Sequence, residues 1–389
     1  MKSSEESVRE LIGEANGLEH GDTRIMLLEE AVRLSDTVGF TDESLRLKAR
    51  EDFVEAATFG GAPDKAIVAF SWCLAQLDKK AVDDSTVATR FSRWETLWKY
   101  KWIVANVCGF PQISRARIYE MLEDMERRYR EEFDSLRPVY SQRWRIEHFW
   151  DNRPEADKYF RKWQLARRDV LSDCAACEAN DEVNYYDYCG QYEQALRAAA
   201  PILGGRLRCT HIPHRTYANI LLPLVRLGRA DEATAYHLKG YPLISRNKNF
   251  LSDTGDHLRF LVLTANLDKA VALFEAHFPW ALAAVSLSER FSFYLDSWLL
   301  FTQLREGGRD TVTLRLPETF EGHVADGKYE TRKLEAWLDE NLRGLARRFD
   351  ARNQNDYFTR RIADTAALKN LVTPYPFKEH RGAGESSEA

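Results

Sequence analysis

The chain has 389 residues, 44% hydrophobic and 30% charged, with a net charge of −5 and with acidic and basic residues interleaved along its length. This composition is sufficient for a sizeable hydrophobic core. The sequence contains no apolar run of about 18 residues that could cross a membrane. Its interleaved charges provide no extended positive potential for binding nucleic acid. The sequence starts without an apolar leader, and its 6 cysteines are typical of reduced thiols in a chain of this length. We therefore expect a cytoplasmic protein with neither a membrane nor a nucleic-acid partner.

Low glycine and proline contents, 20 and 12 residues, favour a helical chain over a turn-rich β architecture. Apolar residues recur at helical spacing throughout the first half of the sequence. The helical segments that this spacing predicts cover residues 8–35 (interrupted at 17–22), 41–58, 64–77, 83–107, 113–133 and 137–169.

Aromatic residues are concentrated in two of these segments. Trp94, Trp98 and Trp102 recur every four residues and therefore share one helix face. A recognition stripe would have this spacing, but large rings so arranged are usually buried between helices, and we interpret them as core packing. The window 137–169 interleaves basic and aromatic residues, yet acidic residues stand among them. A solvated helix pair is therefore favoured there over a platform for single-stranded nucleic acid.

A short phrase is repeated in the middle of the chain. Gly190-Gln-Tyr-Glu-Gln-Ala is followed by Gly228-Arg-Ala-Asp-Glu-Ala, and Ala265 anchors a third copy, so the anchors are 38 and 37 residues apart (190 to 228 to 265). Fainter copies begin at Gly21 and Gly61. Each phrase lies between two amphipathic segments, which is the pattern of stacked helix hairpins. We predict that the small anchors allow the two helices of each hairpin to approach closely.

The phrase and its surroundings resemble the tetratricopeptide repeat over about five units between about residues 8 and 280. The positions that carry the resemblance are Tyr186/Gly190/Tyr192/Ala195, Leu221/Leu224/Gly228/Ala233 and Leu261/Ala265/Ala270/Phe274. The resemblance implies an all-α, right-handed solenoid of antiparallel helix hairpins. It also implies that the first helix of each hairpin presents side chains to a peptide or protein segment on a concave face.

After residue 280 the period is lost. Helical patterns continue over 282–304, 329–349 and 356–371, and Val312, Leu314 and Leu316 alternate with polar residues in the only predicted strand. We therefore divide the chain into three regions: a repeat array over 1–280, a C-terminal helical capping region over 281–377 and a disordered polar tail over 378–389.

One group of residues has the composition of a metal site. Cys174 and Cys177 form a CxxC pair, and Cys209 and His211 follow about thirty residues later. Thiolates and imidazoles in such pairs are the ligands of tetrahedral zinc. The alternatives are a redox-active dithiol and free thiols that pack as small apolar side chains. Zinc at these four residues is the only cofactor that the sequence suggests.

The repeat pattern favours a non-enzymatic scaffold or adaptor that binds a peptide or protein segment on its concave face. Tyr185, His214, Tyr217 and Asn219 are the side chains we predict to be available for that contact. The alternatives are a zinc- or thiol-dependent site at the cysteine group, and a sensor of a peptide or small ligand that acts through a partner protein.

No catalytic motif assigns a reaction to this sequence. Phosphate-binding glycine loops, GxSxG and HExxH are absent. Asp253-Thr-Gly matches the aspartic-protease triplet, but that chemistry needs two carboxylates held together by β-turns. We instead expect Asp253 to cap a helix that begins at His257.

Overall fold

The computed structural model describes residues 3–79 and 87–377, the side chains of 87–92 excepted, so the predicted disordered tail lies outside the described residues. Helices dominate the described chain, as the composition predicts. In chain order they are α1 Ser4–Asn16, α2 Asp22–Ser35, α3 Glu43–Phe59, α4 Pro63–Lys79, α5 Val87–Val107, α6 Arg115–Phe133, α7 Arg137–Phe149, α8 Arg153–Leu165, α9 Ala175–Tyr188, α10 Tyr192–Leu203, α11 His214–Asn219, α12 Leu221–Arg226, α13 Ala230–Ile244, α14 Leu251–Leu263, α15 Leu267–Ala283, α16 Leu287–Glu306, α17 Thr331–Asn353 and α18 Tyr357–Ala367.

Consecutive helices pack as hairpins, and the hairpins stack along the chain. Within hairpins, α1 packs on α2, α3 on α4, α7 on α8, α9 on α10 and α14 on α15. The first helices also contact one another in series, α3 with α5, α5 with α7, α9 with α11, and α11 with α14. These contacts confirm the predicted all-α solenoid.

The repeated small residues end the first helix of a hairpin. Gly190, Gly228 and Ala265 have φ angles of +68°, +71° and +57°, the left-handed conformation that commonly terminates helices. In each turn, the N–H of the following residue donates a hydrogen bond to the carbonyl oxygen five residues earlier: Gln191 to Tyr186, Arg229 to Leu224 and Asn266 to Leu261. A Cβ atom added at Gly190 or Gly228 would meet nothing within 4 Å. The prediction that these anchors allow close helix approach is therefore wrong, because the period reflects a repeated turn.

Two local predictions are also corrected by the structure. Asp253 lies inside α14 and forms an ion pair with Arg215 (2.9 Å), so it does not cap a helix beginning at His257. The amphipathic segment predicted before the Gly228 phrase is divided into two helices, α11 and α12, at Ile220. Pro223 explains this division, because it has no N–H to donate to the preceding turn.

The predicted strand is short and belongs to a two-stranded ribbon. Strand β1 (Thr311–Thr313) pairs antiparallel with β2 (Lys328–Glu330), and Val312 is opposite Tyr329. Both of these central residues are buried against the C-terminal helices. Within the described part of the chain, no helix is long and apolar enough to span a membrane.

The helical array curves until its later helices rejoin the earlier ones. Asn247 Nδ2 donates a hydrogen bond to the Phe59 carbonyl oxygen (3.2 Å), across 188 residues of sequence. The Arg352 guanidinium, on α17, donates to the Cys108 carbonyl oxygen (3.0 Å) and to two further carbonyls in the segment before α6. These contacts join distant parts of the array around a central cavity.

Candidate functional site

The central cavity has a volume of about 890 Å³. Most of its wall comes from the first helices of successive hairpins, α3, α5, α7, α9 and α11, and α18 contributes from the C-terminal region. The lining combines aromatic rings, carboxylates, guanidinium groups, imidazoles and thiols. A cavity of this size is typical of a small-ligand site with a few polar groups that orient the ligand.

Three of the cysteines meet on the wall of this cavity. Cys174 and Cys177 stand at the start of α9, and Cys209 comes from the loop before α11. All three Sγ atoms lie within 4.8 Å of one another, and those of Cys177 and Cys209 are 3.5 Å apart. The ring of His211 is not part of this group and packs on the ring of Phe59, with centroids 4.6 Å apart. The structure thus brings together three of the four predicted zinc ligands.

Local backbone structure brings the thiols together. Cys174 is the N-cap of α9, and its Sγ accepts the N–H of Cys177 (3.4 Å). Cys209 and Ile212 close a tight turn through two backbone hydrogen bonds of 3.0 and 3.3 Å. Ile212 is buried in a small apolar cluster with Ala176 of α9, which presses this turn against the start of that helix.

A buried lysine supports the segment that precedes the first thiol. Lys101 Nζ lies 2.9 Å from Asp173 Oδ1 and donates to the Leu171 carbonyl oxygen (2.7 Å). The same ammonium lies 3.3 Å from the ring centroid of Trp98, a cation–π contact. Lys101 is 1% exposed, so α5 holds the Asp173 side chain in place through a desolvated ion pair.

The pKa values of the three thiols are shifted in different directions. Hydrogen bonds from the thiols of Cys177 and Cys209, with the backbone N–H groups at the start of α9, hold the pKa of Cys174 well below its ordinary value. The hydrogen bonds to Cys174 raise the pKa of Cys177 and that of Cys209. Because the thiolate is the form that binds metals, this arrangement provides one metal-binding group at neutral pH before any metal arrives.

A stripe of polar side chains continues from the thiols along α9. These residues follow one another at helical spacing, and all of them line the cavity: Cys174, Cys177, Asn180, Asp181, Asn184, Asp187 and Tyr188. An amphipathic segment before the Gly190 phrase was predicted from the sequence, but its polar stripe was not identified. Polar residues three and four apart within a first helix were the signal that could have revealed it.

Most charged groups of the cavity wall are paired. Arg145 forms an ion pair with Asp181, and Arg215 pairs with Asp253 at 2.9 Å. Burial raises the pKa of Asp181 to about 6, against the opposing effect of Arg145. Asp187 differs, because its carboxylate has no hydrogen bond or ion pair among the described residues. Burial raises the pKa of Asp187 to about 6 as well.

Two histidines on the wall present neutral imidazole rings. Burial lowers the pKa of His20 to about 4 and that of His211 to about 3. Nδ1 of His20 and Nε2 of His211 are buried without a hydrogen-bond partner among the described residues. The two ring centroids are 5.8 Å apart.

The residues predicted to contact a partner lie outside the cavity lining. Tyr185 is 8% exposed and packs among other rings, whereas His214 and Tyr217 stack on neighbouring aromatic side chains. Asn219 Nδ2 donates to Asn180 Oδ1 (3.2 Å). Their contact with a partner stays a prediction.

The tryptophan ladder has a different environment from the one expected. Trp98 and Trp102 are half-buried and line the central cavity, so these two rings are not enclosed in the core. The edge of Trp102 packs against Phe59, with centroids 4.8 Å apart. Part of the ladder therefore faces the space where a ligand would bind.

No protein-family model matches the chain, and a comparison with curated proteins finds no match. The resemblance to the tetratricopeptide repeat therefore stays a prediction. Functional inference depends on the cavity and on the three thiols in its wall.

Proposed function

We propose that the protein binds zinc through Cys174, Cys177 and Cys209, and that a ligand in the central cavity occupies the fourth position of the metal. The observation that carries this proposal is the meeting of three sulfur atoms, from two separate segments, on the wall of a cavity of about 890 Å³. Structural zinc sites have four protein ligands, whereas sites that bind or activate a ligand have three protein ligands and one open position.

The geometry of the thiols suits the proposed metal. At a Zn–S distance of about 2.3 Å, two sulfur ligands of a tetrahedral ion lie about 3.8 Å apart. Cys177 Sγ and Cys209 Sγ are 3.5 Å apart, so a small shift of side chains would admit the ion. Soft thiolate ligands favour Zn²⁺ over the hard ions Mg²⁺ and Ca²⁺.

Metal analysis of the purified full-length protein tests the proposal. We expect about one zinc per chain after equilibration with Zn²⁺, and loss of that zinc in each of the variants Cys174→Ser, Cys177→Ser and Cys209→Ser. Cys189→Ser is the matched control, because Cys189 is also half-buried but does not belong to the group. Absence of zinc from the wild-type protein, or its full retention in Cys209→Ser, would overturn the proposal.

Cobalt substitution tests the open position. The absorption bands of Co²⁺ in this site should shift when a free thiol such as 2-mercaptoethanol is added, because the thiol takes the fourth position. His211→Ala separates this arrangement from the four-ligand site predicted by the sequence. If His211 were the fourth ligand, the variant would lose affinity for the metal and the wild-type bands would not respond to thiol.

The second candidate is the predicted scaffold for a peptide or protein segment. It is supported by the lining of the cavity, which comes mainly from the first helices of the hairpins, the elements that the repeat resemblance implies for contact. Contacts such as Asn247 with Phe59 join distant parts of the array, and the cavity volume of about 890 Å³ suits a short segment or a chain end. Both candidates use the same cavity.

A further inference from the structure

We infer that the cavity recognises a ligand with two chemical ends, a soft donor that binds the zinc and an ammonium group that binds Asp187. This inference rests on the proposed function, because it assigns the ligand of the same metal-bearing cavity. It concerns a second subsite on α9, defined by Asn184 and Asp187, which we call the ammonium subsite.

The ammonium subsite lies on the same polar stripe as the thiols. From Cys177 to Asn184 and Asp187 the helix advances about 10 and 15 Å, at about 1.5 Å per residue. Helical side chains lean toward the N-terminus, so the Asp187 carboxylate leans back toward the thiols. A ligand that joins the two sites therefore spans roughly 10–15 Å, which corresponds to three or four extended residues.

Asp187 is the carboxylate of the cavity wall that forms no ion pair within the described chain. The other lining carboxylates have cationic partners, since Asp173 pairs with Lys101 and Asp181 with Arg145, and Glu55 has an arginine 3.5 Å away. A carboxylate on a cavity wall that forms no ion pair is favourable for a cationic ligand, because the ligand supplies a direct counterion.

Two guanidinium groups, of Arg259 and Arg226, act on Asp187 electrostatically, but neither forms an ion pair with it. The hydrogen bonds of Arg259 go to Asp256 and to Asp296 (3.1 Å). The pKa of Asp187, about 6, leaves this carboxylate mainly ionised at neutral pH. A ligand therefore meets a negative charge at this end of the stripe.

Neighbouring groups complete the subsite. Asn184 lines the cavity and makes no side-chain hydrogen bond within the described residues, so its amide oxygen can accept a second ammonium hydrogen. Tyr188 and Tyr357 also line the cavity. Arg153 already lies over the Tyr188 ring (5.2 Å) and Arg360 over the Tyr357 ring (5.8 Å), so binding of the ammonium group falls to the oxygens of Asp187 and Asn184.

A series of thiols tests the inference with zinc-loaded, full-length protein. ω-Aminoalkanethiols of increasing chain length are titrated in a calorimeter beside ω-hydroxyalkanethiols of the same lengths. We expect the amino series to bind at least tenfold more tightly at one optimal length and the hydroxy series to show no such optimum. Equal affinities for the two series at every length would overturn the ammonium subsite.

Two substitutions on the same hairpin supply the matched comparison. Asp187→Asn keeps the shape of the side chain, removes the charge and should abolish the preference for the amino series. Glu193→Gln, at an exposed position on α10, should leave the preference unchanged. Circular dichroism and zinc content establish that each variant is folded and loaded, so an unchanged preference in folded Asp187→Asn counts against the inference.

The two proposals fail in distinguishable ways. If wild-type protein binds no zinc, the metal site is wrong, and the ammonium subsite is then tested with alkylamines that lack a thiol. If zinc and simple thiols bind but the amino group does not increase the affinity of the thiol, only the proposed ammonium subsite is wrong. A tetrapeptide with a C-terminal cysteine, used with a free or an acetylated amino terminus, distinguishes a peptide end from a small aminothiol as the source of the ammonium group.

Discussion

Lys101 Nζ and Asp173 Oδ1 lie 2.9 Å apart although the two residues belong to different hairpins. Lys101 is on α5, and Asp173 directly precedes Cys174, so the ion pair connects one wall of the cavity to the start of the metal-binding segment. The side chain of Lys101 has no solvent exposure, whereas that of Asp173 is 18% exposed. Water therefore screens this pair weakly.

Replacement of the buried lysine should disturb both stability and metal binding. Lys101→Met leaves Asp173 without its partner, and we expect a loss of about 2–4 kcal/mol in the free energy of unfolding. The affinity for zinc should fall at least tenfold, because the segment before Cys174 loses its support. Urea denaturation and a zinc competition assay measure the two effects. Lys333→Met, which breaks an exposed pair with Glu330, should change neither quantity appreciably.

Two small substitutions in the hairpin turns should have opposite effects on the stability of the protein. Gly190→Ala places a side chain on a residue with positive φ and should destabilise the protein by about 1 kcal/mol. Ala265→Gly relieves the same conformation in the third repeat and should stabilise it by up to about 1 kcal/mol. Thermal or urea unfolding measures both.

A glycine within a helix is the control for these turns. Gly13 lies within α1, and an added Cβ would meet nothing within 4 Å, so Gly13→Ala should stabilise by about 0.5–1 kcal/mol. If Gly190→Ala stabilised the protein as Gly13→Ala does, the left-handed turn would not be the cause of the sequence period.

Arg352 should be essential to closure of the array. Arg352→Met removes the donor to three backbone carbonyl groups, among them that of Cys108, and should cost about 3 kcal/mol. Hydrogen exchange should accelerate in the segment before α6. Arg348→Met, at an exposed position on the same helix, should stay within about 0.5 kcal/mol of wild type. Equal effects of the two substitutions would contradict this role.

A buried histidine pair predicts loss of stability in acid. Nδ1 of His237 and Nδ1 of His257 are 2.9 Å apart, and burial lowers the pKa of His237 to about 4 and that of His257 well below its ordinary value. An unfolded histidine has a pKa of about 6.5. The unfolded chain therefore binds more protons as the pH falls from about 6.5 toward 4, and stability decreases over that range.

Replacement of one of the pair isolates this contribution. His237→Gln should remove on the order of 2 kcal/mol of the stability difference between pH 7 and pH 4.5. Urea unfolding of variant and wild type at the two pH values measures it, and the contributions of titrating groups outside the pair cancel in the comparison. Parallel losses in the two proteins would show that His237 does not bind the proton.

Much of the architecture was accessible from local sequence. Helical periodicity predicted most helices, and the repeated phrase located hairpin turns at Gly190, Gly228 and Ala265. The prediction that these small residues pack between helices was wrong. Sequence spacing alone does not distinguish a small residue packed between helices from one that adopts a positive φ angle in a turn. CxxC spacing likewise identified Cys174 and Cys177, since residues three apart share a helix face.

The composition of the cavity was decided by tertiary structure. Phe59, Trp98 and Asp187 are distant in sequence, and they line one space only because successive first helices stack and the array then closes. The same contacts turn an expected groove into a cavity bordered by helices from distant parts of the chain. The contact of Asn247 with Phe59 depends on the curvature of the whole array, which is the sum of small rotations between many hairpins. A local sequence pattern does not determine that sum.

The sequence by itself thus determined the helical class, the hairpin period and two of the thiols that begin α9. Only the tertiary structure decided that Cys209 joins those thiols while the His211 ring packs on Phe59, and that Asp187 lines the cavity without an ion pair among the described residues. The physical reason is that backbone periodicity and turn conformation act over a few residues. The meeting of side chains from different hairpins depends on how all the helices pack.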